Sequence, residues 1–478
     1  MSPSRGELTS LQRLVSKLGL VGGTPGSSHS PAVFRHRLRP LRRIYRLSLE
    51  CPGEAVPNGP LPSPKDNSGH SVELYRDIIE PKQPSRLSLG RQKLSNVNWK
   101  TTRGAIACWL RSLIIVASFA ITTTEASGGK IRVGFINPTG SPEFWLLVSS
   151  TMRAAAAELG IDVDIRYTQR SYDKAIALAQ NFLSERPPPD YLIATNDLGA
   201  GGPIIKLADS ANVPIILLDN DVDQKEWTEY GEPRTKYRHW LGSLVPDHEG
   251  GGYRVAEAVL TEAMHVKNNP PLRMLALAGD IGTPASNDRV RGLHRAVNVM
   301  SKLLGPGSVQ LVDVRNLDWT EEGAQASVRE FIRAGQRIDA VWAANDQMAF
   351  GAIRALREAG YKPGVDVVVG GLDWSQGGID RVLKGEMVVT YGGHFLGGAW
   401  AMVILRDYHD GRDFAEEDVR LQFPMSAIDL PVARRFPEIG NVDWRSVDFT
   451  RFSKARNPKI THYNFTPDAV LGQLPSRD

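Results

Sequence analysis

Between about residues 130 and 430 the sequence predicts an α/β protein built as two doubly wound lobes. Three observations carry that expectation. Short, nearly continuous apolar segments alternate with longer amphipathic ones. The whole alternation restarts once, after an irregular stretch at 221–240. Several of the apolar segments end on Asn or Asp. Strands buried on both faces read as apolar runs, which marks a parallel sheet with helices on either side.

Taken in order, KIRVGFIN from Lys130 reads as the first strand. Ser141-Pro142-Glu143 then reads as a helix start, with Ser as cap, Pro in the first turn and an acid at the positive end of the helix dipole. That helix runs to AAAAELG, where Gly160 can take the left-handed closing conformation. Strand IDVDIRYT, helix YDKAIALAQNFLSER, strand DYLIATN, helix GGPIIKLADSAN and strand VPIILLDN complete the first set. The second set opens on the helix EGGGYRVAEAVLTEAMH. Strands LRMLALAGD, VQLVDVRN, DAVWAAND, VDVVVGGLD and EMVVTYGG follow, with helices ASNDRVRGLHRAVNVMSKLL, TEEGAQASVREFIRAG and QMAFGAIRALREAG between the first four. Beyond Gly393 the helix FLGGAWAMVILRDYHDG is expected to return to the first lobe. The tail at 431–478 holds Pro, Arg and aromatics without a period, and is expected to wrap the surface or hang partly loose.

The region before residue 130 has a different character. Residues 1–99 contain clusters such as PAVFRHRLRPLRRIYR and lack a sustained apolar period, so they read as a disordered leader. Residues 100–126 read as a secretory signal. Lys100, Arg103 and Arg111 precede the apolar run SLIIVASFAI at 112–121, and small residues follow, with cleavage expected after Ala126. A bilayer span needs about 20 apolar residues, so this run is too short to be one. Such a signal belongs at an N-terminus, which suggests translation starting near 96–103. Cys108 precedes the apolar run instead of following it, which argues against lipidation there.

With 41% apolar and 23% charged residues over 478, the composition is ordinary for a globular chain long enough for two or three domains. Residues 1–111 carry 18 Lys/Arg against 7 Asp/Glu, so the overall +4 leaves −7 for residues 112–478. The part expected to fold is mildly acidic, which argues against nucleic-acid binding. Both cysteines, Cys51 and Cys108, precede that part, so it has no disulfide, thiolate metal site or Cys nucleophile. GxSxG, HExxH and P-loop patterns are absent, and His239, His248, His294 and His394 show no ligand spacing. The expectation is a binding protein without cofactor, metal or catalytic role.

In open parallel sheets ligands bind at the carboxyl ends of the strands. The polar residues expected there are Asn137, Ser141, Asn196, Asp197, Asp219, Asn220, Asp280, Asn345, Asp346 and Asp373. Carboxylates and amides can engage several hydroxyls at once, which suits a polyol. Phe144, Trp145 and Trp374 could cover the apolar face of a ring. For any one of these Asp or Asn residues, capping the next helix is the commoner role. Arg289, in PASNDRVRG, offers a planar fork of donors, although Arg291 or Arg295 could be the one that turns inward.

The segments FINPTGSPEFW, VPIILLDN, ASNDRVRGLHRA, AVWAANDQMAFGAIRALREAG and VVVGGLDWSQGGIDRVLKGE, in that order, resemble the periplasmic sugar-binding proteins of the ribose-binding type. The resemblance covers about residues 130–410 and implies the type I periplasmic binding protein fold, two Rossmann-like lobes joined by a three-strand hinge. It implies crossings near 242–246, 391–393 and 410–414. The first lobe is then 130–243 plus 393–410, and the second is 244–392 plus 411–430. It also implies roles. Asp219 matches the sugar-binding acid after the fourth strand, with Asn220 where an Arg is common. Arg289 matches the second-lobe arginine, Asn345 the amide of an Asn-Asp pair, and Asp373 the acid of a Gly-Phe-Asp segment. Leu372 stands where that segment has an aromatic, and Trp374 is expected to take over the stacking. Phe144 and Trp145 match paired aromatics, preceded by Ser141 where Asn is common, and His394 substitutes for a final amide near Gly392.

The function implied is that of a monomeric periplasmic receptor that captures a monosaccharide or similar polyol and delivers it to the permease of an ATP-driven (ABC) importer. The alternative is a sensor whose closed form contacts a histidine kinase or chemoreceptor. A sugar-responsive repressor would need a basic helix-turn-helix just before Lys130, and that slot holds the apolar run instead.

Overall fold

The computed structural model describes residues 130–474, apart from 142, 224, 268, 269 and 437. The expected leader and signal segment, both cysteines and Pro142 of the expected helix start lie outside the described residues. No helix among the described residues is long and apolar enough to cross a membrane.

The first five strands are β1 (Ile131–Asn137), β2 (Ile161–Tyr167), β3 (Tyr191–Ala194), β4 (Ile215–Leu218) and β5 (Trp240–Pro246). The next five are β6 (Leu272–Ala278), β7 (Val309–Asn316), β8 (Ala340–Ala343), β9 (Val368–Asp373) and β10 (Val389–Gly392). With β11 (Arg420–Phe423) and β12 (Ser426–Ile428) they form two six-stranded sheets among the described residues, ordered β11-β5-β4-β3-β1-β2 and β12-β10-β9-β8-β6-β7. All pairs run parallel except the edge strand β12, which runs antiparallel to β10.

The expected apolar runs lie where both faces of the sheet are covered. In β3, Tyr191 and Ile193 face one core while Leu192 and Ala194 face the other, and β4 divides its four residues in the same way. Around the first sheet lie α1 (Glu143–Leu159), α2 (Tyr172–Ser184), α3 (Gly201–Ser210) and the short α4 (Trp227–Tyr230). The second lobe carries α5 (His248–Lys267), α6 (Pro284–Leu304), α7 (Glu321–Arg333), α8 (Asp346–Glu358) and α9 (Gln376–Leu383). Side-chain caps start several of them: Ser171, Thr320, Asn345 and Ser375 each accept from the backbone N–H three residues on. α9 was not expected from the sequence; its cap is Ser375.

The chain leaves the first sheet after β5 and returns after β10 into α10 (Gly397–His409). The third crossing, expected at 410–414, lies instead at 424–425. Residues 411–423 stay with the first lobe because β11 adds to β5, with Arg420 opposite Ser243 through Phe423 opposite Pro246. Arg234 also holds Asp413 bidentately, at 2.5 and 2.9 Å.

The tail is packed through residue 474. It starts on the second lobe with α11 (Leu430–Ala433), where Phe436 meets Trp374 edge-on with centroids 5.2 Å apart. It then reaches the first lobe, where Phe465 stacks on Trp400 at 4.8 Å and Phe452 meets the same indole at 4.7 Å. Buried Asp407 accepts from Ser453 Oγ, from the backbone N–H of Lys454 (2.7 Å) and Ala455 (3.0 Å), and from Tyr463 Oη (3.1 Å). The last helix, α12 (Pro467–Leu471), sets Pro467 against Gly393.

Candidate ligand-binding site

Both sheets point their carboxyl ends at one cleft between the lobes, with a cavity of about 350 Å³. Of the residues singled out from the sequence, Ser141, Phe144, Trp145, Asp197, Asp219, Asn220, Arg289, Asn345, Asp373 and His394 line it. They reach it from strand ends, from the first turn of α1, from inside α6 and from the turn after β10.

Five do not: Asn137, which donates to Ser149 Oγ, Asp280, which accepts from Gly282 N, and Asp346, Asn196 and Trp374. Asn196 Oδ1 accepts from Gly201 N (2.8 Å), and its Nδ2 donates to Asp221 O and Glu226 Oε2. It is a loop-holding amide at the start of α3. Trp374 is 1% exposed, donates from Nε1 to Ser426 O (2.8 Å) and packs on Phe436, so it is a core residue and not a stacking platform. Trp319, after β7, is the aromatic that the second lobe brings to the cavity. Sequence reasoning missed Trp319 together with Arg170, Thr283, Asp318, Glu321, Glu322 and Gln347. The strand-end rule that found Asp219 applies equally to Arg170 and Asp318, which follow β2 and β7.

Backbone strain clusters here. Arg170, Asp219, Trp319 and Asp373 all line the cavity with φ between 52° and 126°, a region L-residues rarely adopt. Such turns are held by the surrounding fold, and they aim side chains that ordinary strand ends would send elsewhere.

Arg289 is the hub. It is 4% exposed and donates from Nη1 to Ala344 O (2.7 Å), from Nε and Nη2 to His248 Nδ1 (3.3 Å each) and from Nη2 to His394 Nε2 (3.0 Å). A guanidinium can only donate, so both imidazole nitrogens facing it are acceptors. His248 then carries its proton on Nε2 and donates it to Asp219 O (2.9 Å). His394 carries its proton on Nδ1, a buried atom with no hydrogen-bond partner among the described residues. Burial and the Arg289 charge hold both histidines well below their ordinary value, so they are neutral. The nearest carboxylate, Asp373 Oδ1, lies 3.9 Å from Arg289 Nη1 and 3.6 Å from His394 Nε2. Burial raises Asp373 well above the usual carboxylate range and pushes Asp219 up to about 6, against the pull of Arg289.

Asn345 is both cap and lining. Its Oδ1 accepts from Met348 N (2.9 Å) and its Nδ2 donates to Trp319 O (3.1 Å), which leaves one amide hydrogen for a ligand. Behind it, Asp346 accepts from Ser375 N and Oγ and from Thr390 Oγ1, and burial pushes it to about 7. Asp346 braces the two strand ends and does not line the cavity.

The lobes also touch directly. Asn220 Oδ1 accepts from Ala285 N (2.8 Å) in the first turn of α6, while its Nδ2 donates to Asp219 Oδ2 (3.0 Å). Glu143 Oε1 accepts from Gln376 N (3.0 Å), the first residue of α9. First-turn N–H groups lack an intrahelical partner and carry the positive end of the dipole, so each contact caps a helix of the opposite lobe. Phe144 packs on His394 with centroids 4.5 Å apart. These contacts describe a closed arrangement.

Residues 133–413 match the family model described as a periplasmic binding protein domain. The chain is similar to the galactofuranose-binding protein of Escherichia coli (strain K12), 27% identical over 283 residues, covering 58% of this chain and 81% of the relative. It is also similar to the ribose import binding protein of the same organism, 24% identical over 286 residues, with 59% and 85% covered. A solved periplasmic sugar-binding protein from Pseudomonas fluorescens superposes with a TM-score of 0.62 at 29% identity, covering 71% of this chain and 99% of its own.

Proposed function

The chain belongs to the periplasmic binding protein domain family, and from that premise we propose that it is an exported receptor that captures a small polyol, a sugar or close analogue, between its lobes. Export would use the segment at 100–126, with the mature chain starting at Ser127 in the periplasm. The closed form would then dock on the membrane permease of an ABC importer.

The observation that carries this reading is the cleft itself. Asp219 comes from the first lobe, Arg289, Asn345 and Asp373 from the second and His394 from the second crossing, beside the aromatic faces of Phe144, Trp145 and Trp319. Polar groups that hydrogen-bond hydroxyls, set beside rings that cover the C–H face, are what a polyol requires. The cavity lies at the small end of the range for ligand pockets, about 300–1,000 Å³.

Closure follows from the same geometry. A ligand bound to Asp219 alone would leave the ratio of open to closed forms unchanged, whereas one that also reaches Asp373 and Asn345 favours the closed form. His394 lines the cavity and sits on the second crossing, so ligand contact and hinge conformation share a residue. The test is a thermal-shift screen of the full chain against monosaccharides, polyols and small cyclic compounds. Stabilisation by a polyol is expected, and stabilisation solely by an unrelated class would overturn the reading.

A further inference from the structure

Six carboxylates line the cavity, those of Asp197, Asp219, Asp318, Glu321, Glu322 and Asp373, against two guanidiniums, Arg170 and Arg289. Arg170 is already paired with Asp197 at 2.9 Å, and Glu321 with Arg354 outside the cavity. That leaves Arg289 as the cation for two buried carboxylates, Asp219 and Asp373. The hydrogen bonds of Arg289 go to Ala344 O and to two neutral histidines, and its approach to Asp373 is a 3.9 Å contact. Asp219 Oδ1 has no hydrogen-bond partner among the described residues, although Asp219 is 93% buried. The nearest basic nitrogen, His248 Nε2 at 3.8 Å, is already committed to the Asp219 carbonyl.

We propose that the ligand of this cleft is an aminated polyol, a sugar or cyclitol carrying a protonated amine in place of one hydroxyl. The inference rests on the polyol reading above and sharpens it. Two carboxylates in a site of low dielectric need either protons or cations, and the protein supplies one cation that is 3.9 Å from the nearer of them. An ammonium brings the second charge and three donors with no acceptor, which matches unfilled carboxylate oxygens better than a hydroxyl does. An anionic ligand meets the opposite situation. A uronate or phosphate would enter beside two carboxylates that share one cation, past Glu322 at the exposed rim, and would find four of the five Arg289 donors engaged. The rise of Asp219 to about 6 agrees, since it records burial that the nearby positive charge does not offset.

The experiment is isothermal titration of the full chain at pH 7.5 with matched sets on single scaffolds: glucose, glucosamine and glucuronate; galactose, galactosamine and galacturonate; inositol and an amino-inositol. The expected result is that in at least one set the amine binds at least tenfold tighter than the neutral member and the carboxylate does not bind. Asp373→Asn keeps the shape and removes the charge. It is expected to weaken the amine at least tenfold and the neutral member far less, with an unchanged circular dichroism spectrum confirming the fold. Neutral binding equal to or tighter than the amine, uronate binding, or equal weakening of both by Asp373→Asn overturns the charge inference and leaves the polyol reading intact. Binding by no member of any set overturns both.

Discussion

The two lobes share a fold but play opposite parts in the hydrogen bonds that join them across the cleft. The first lobe presents acceptors, namely the Asn220 amide oxygen, the Glu143 carboxylate and the side chain and carbonyl of Asp219. The second presents donors, namely the first-turn N–H groups of α6 and α9 and the Arg289 fork. The cavity lining is more mixed, with the acids Asp318, Glu321, Glu322 and Asp373 on the second lobe and Arg170 on the first, and of these second-lobe acids Asp373 is the one set against Arg289. The difference teaches that the lobes themselves supply part of what holds the cleft closed. Helix starts offer unpaired donors, and the opposite lobe only has to reach them. What the lobes cannot satisfy between themselves are the two buried carboxylates, and that residue of unmet acceptors is where ligand chemistry acts.

Five perturbations break or sharpen this contrast, in descending size. Arg289→Ala removes the hub of the donor side and strands Asp219 and Asp373. A loss of about 3–5 kcal/mol of stability is expected in chemical denaturation, together with disappearance of any ligand-induced shift. Asp373→Ala should abolish the ligand shift while leaving the unliganded protein folded.

The acceptor side predicts a pH dependence. The folded-state value of Asp219, about 6, lies above its ordinary 3.8, so the folded protein holds that proton more tightly than the unfolded chain. The stability it contributes is present below pH about 4 and lost as pH rises through about 6, on the order of 3 kcal/mol in all. Melting curves of the unliganded wild type should therefore fall more steeply between pH 4 and 7 than those of Asp219→Asn. Parallel curves would show that Asp219 titrates normally.

Smaller still are the direct bridges. Glu143→Ala or Asn220→Ala should each cost about 1–2 kcal/mol of closed form. Small-angle scattering would then show a larger radius of gyration without ligand, and ligand would dissociate faster. An unchanged radius for both variants would mean that the bridges do not hold the lobes. The smallest effect is expected for Tyr463→Phe, which removes one bond to Asp407 in the first lobe, far from the cleft. It should lower stability by about 1 kcal/mol and leave ligand affinity unaltered.

Much of this was legible in the sequence, for identifiable reasons. Strands such as VPIILLDN announce themselves because both faces are buried, and Asp219 and Asp373 follow from the rule that strand ends carry the site. α9 was not legible, because Gln376-Gly377-Gly378 reads as a turn. Gly378 is there because a Cβ would collide with the Asp346 carboxylate. β11 and β12, of four and three residues, exist only through their pairing with distant strands. Trp374 misled because its position beside Asp373 says nothing of where the ring turns, and the left-handed backbone there sends it inward. The contacts of Asn220 and Glu143 depend on how one lobe meets the other, which no local pattern encodes.

The course of the tail has a further consequence, for the order in which the molecule can be made. The second lobe is almost contiguous, with its core strands between residues 272 and 392. The first lobe begins earlier in the chain yet needs α10, β11 and finally Phe452 and Phe465 to cover Trp400. On a growing chain its apolar face stays open at Trp400 until Phe452 and Phe465 have been made. The lobe that starts first is the one that finishes last, so assembly of the whole waits on the segment at 452–465.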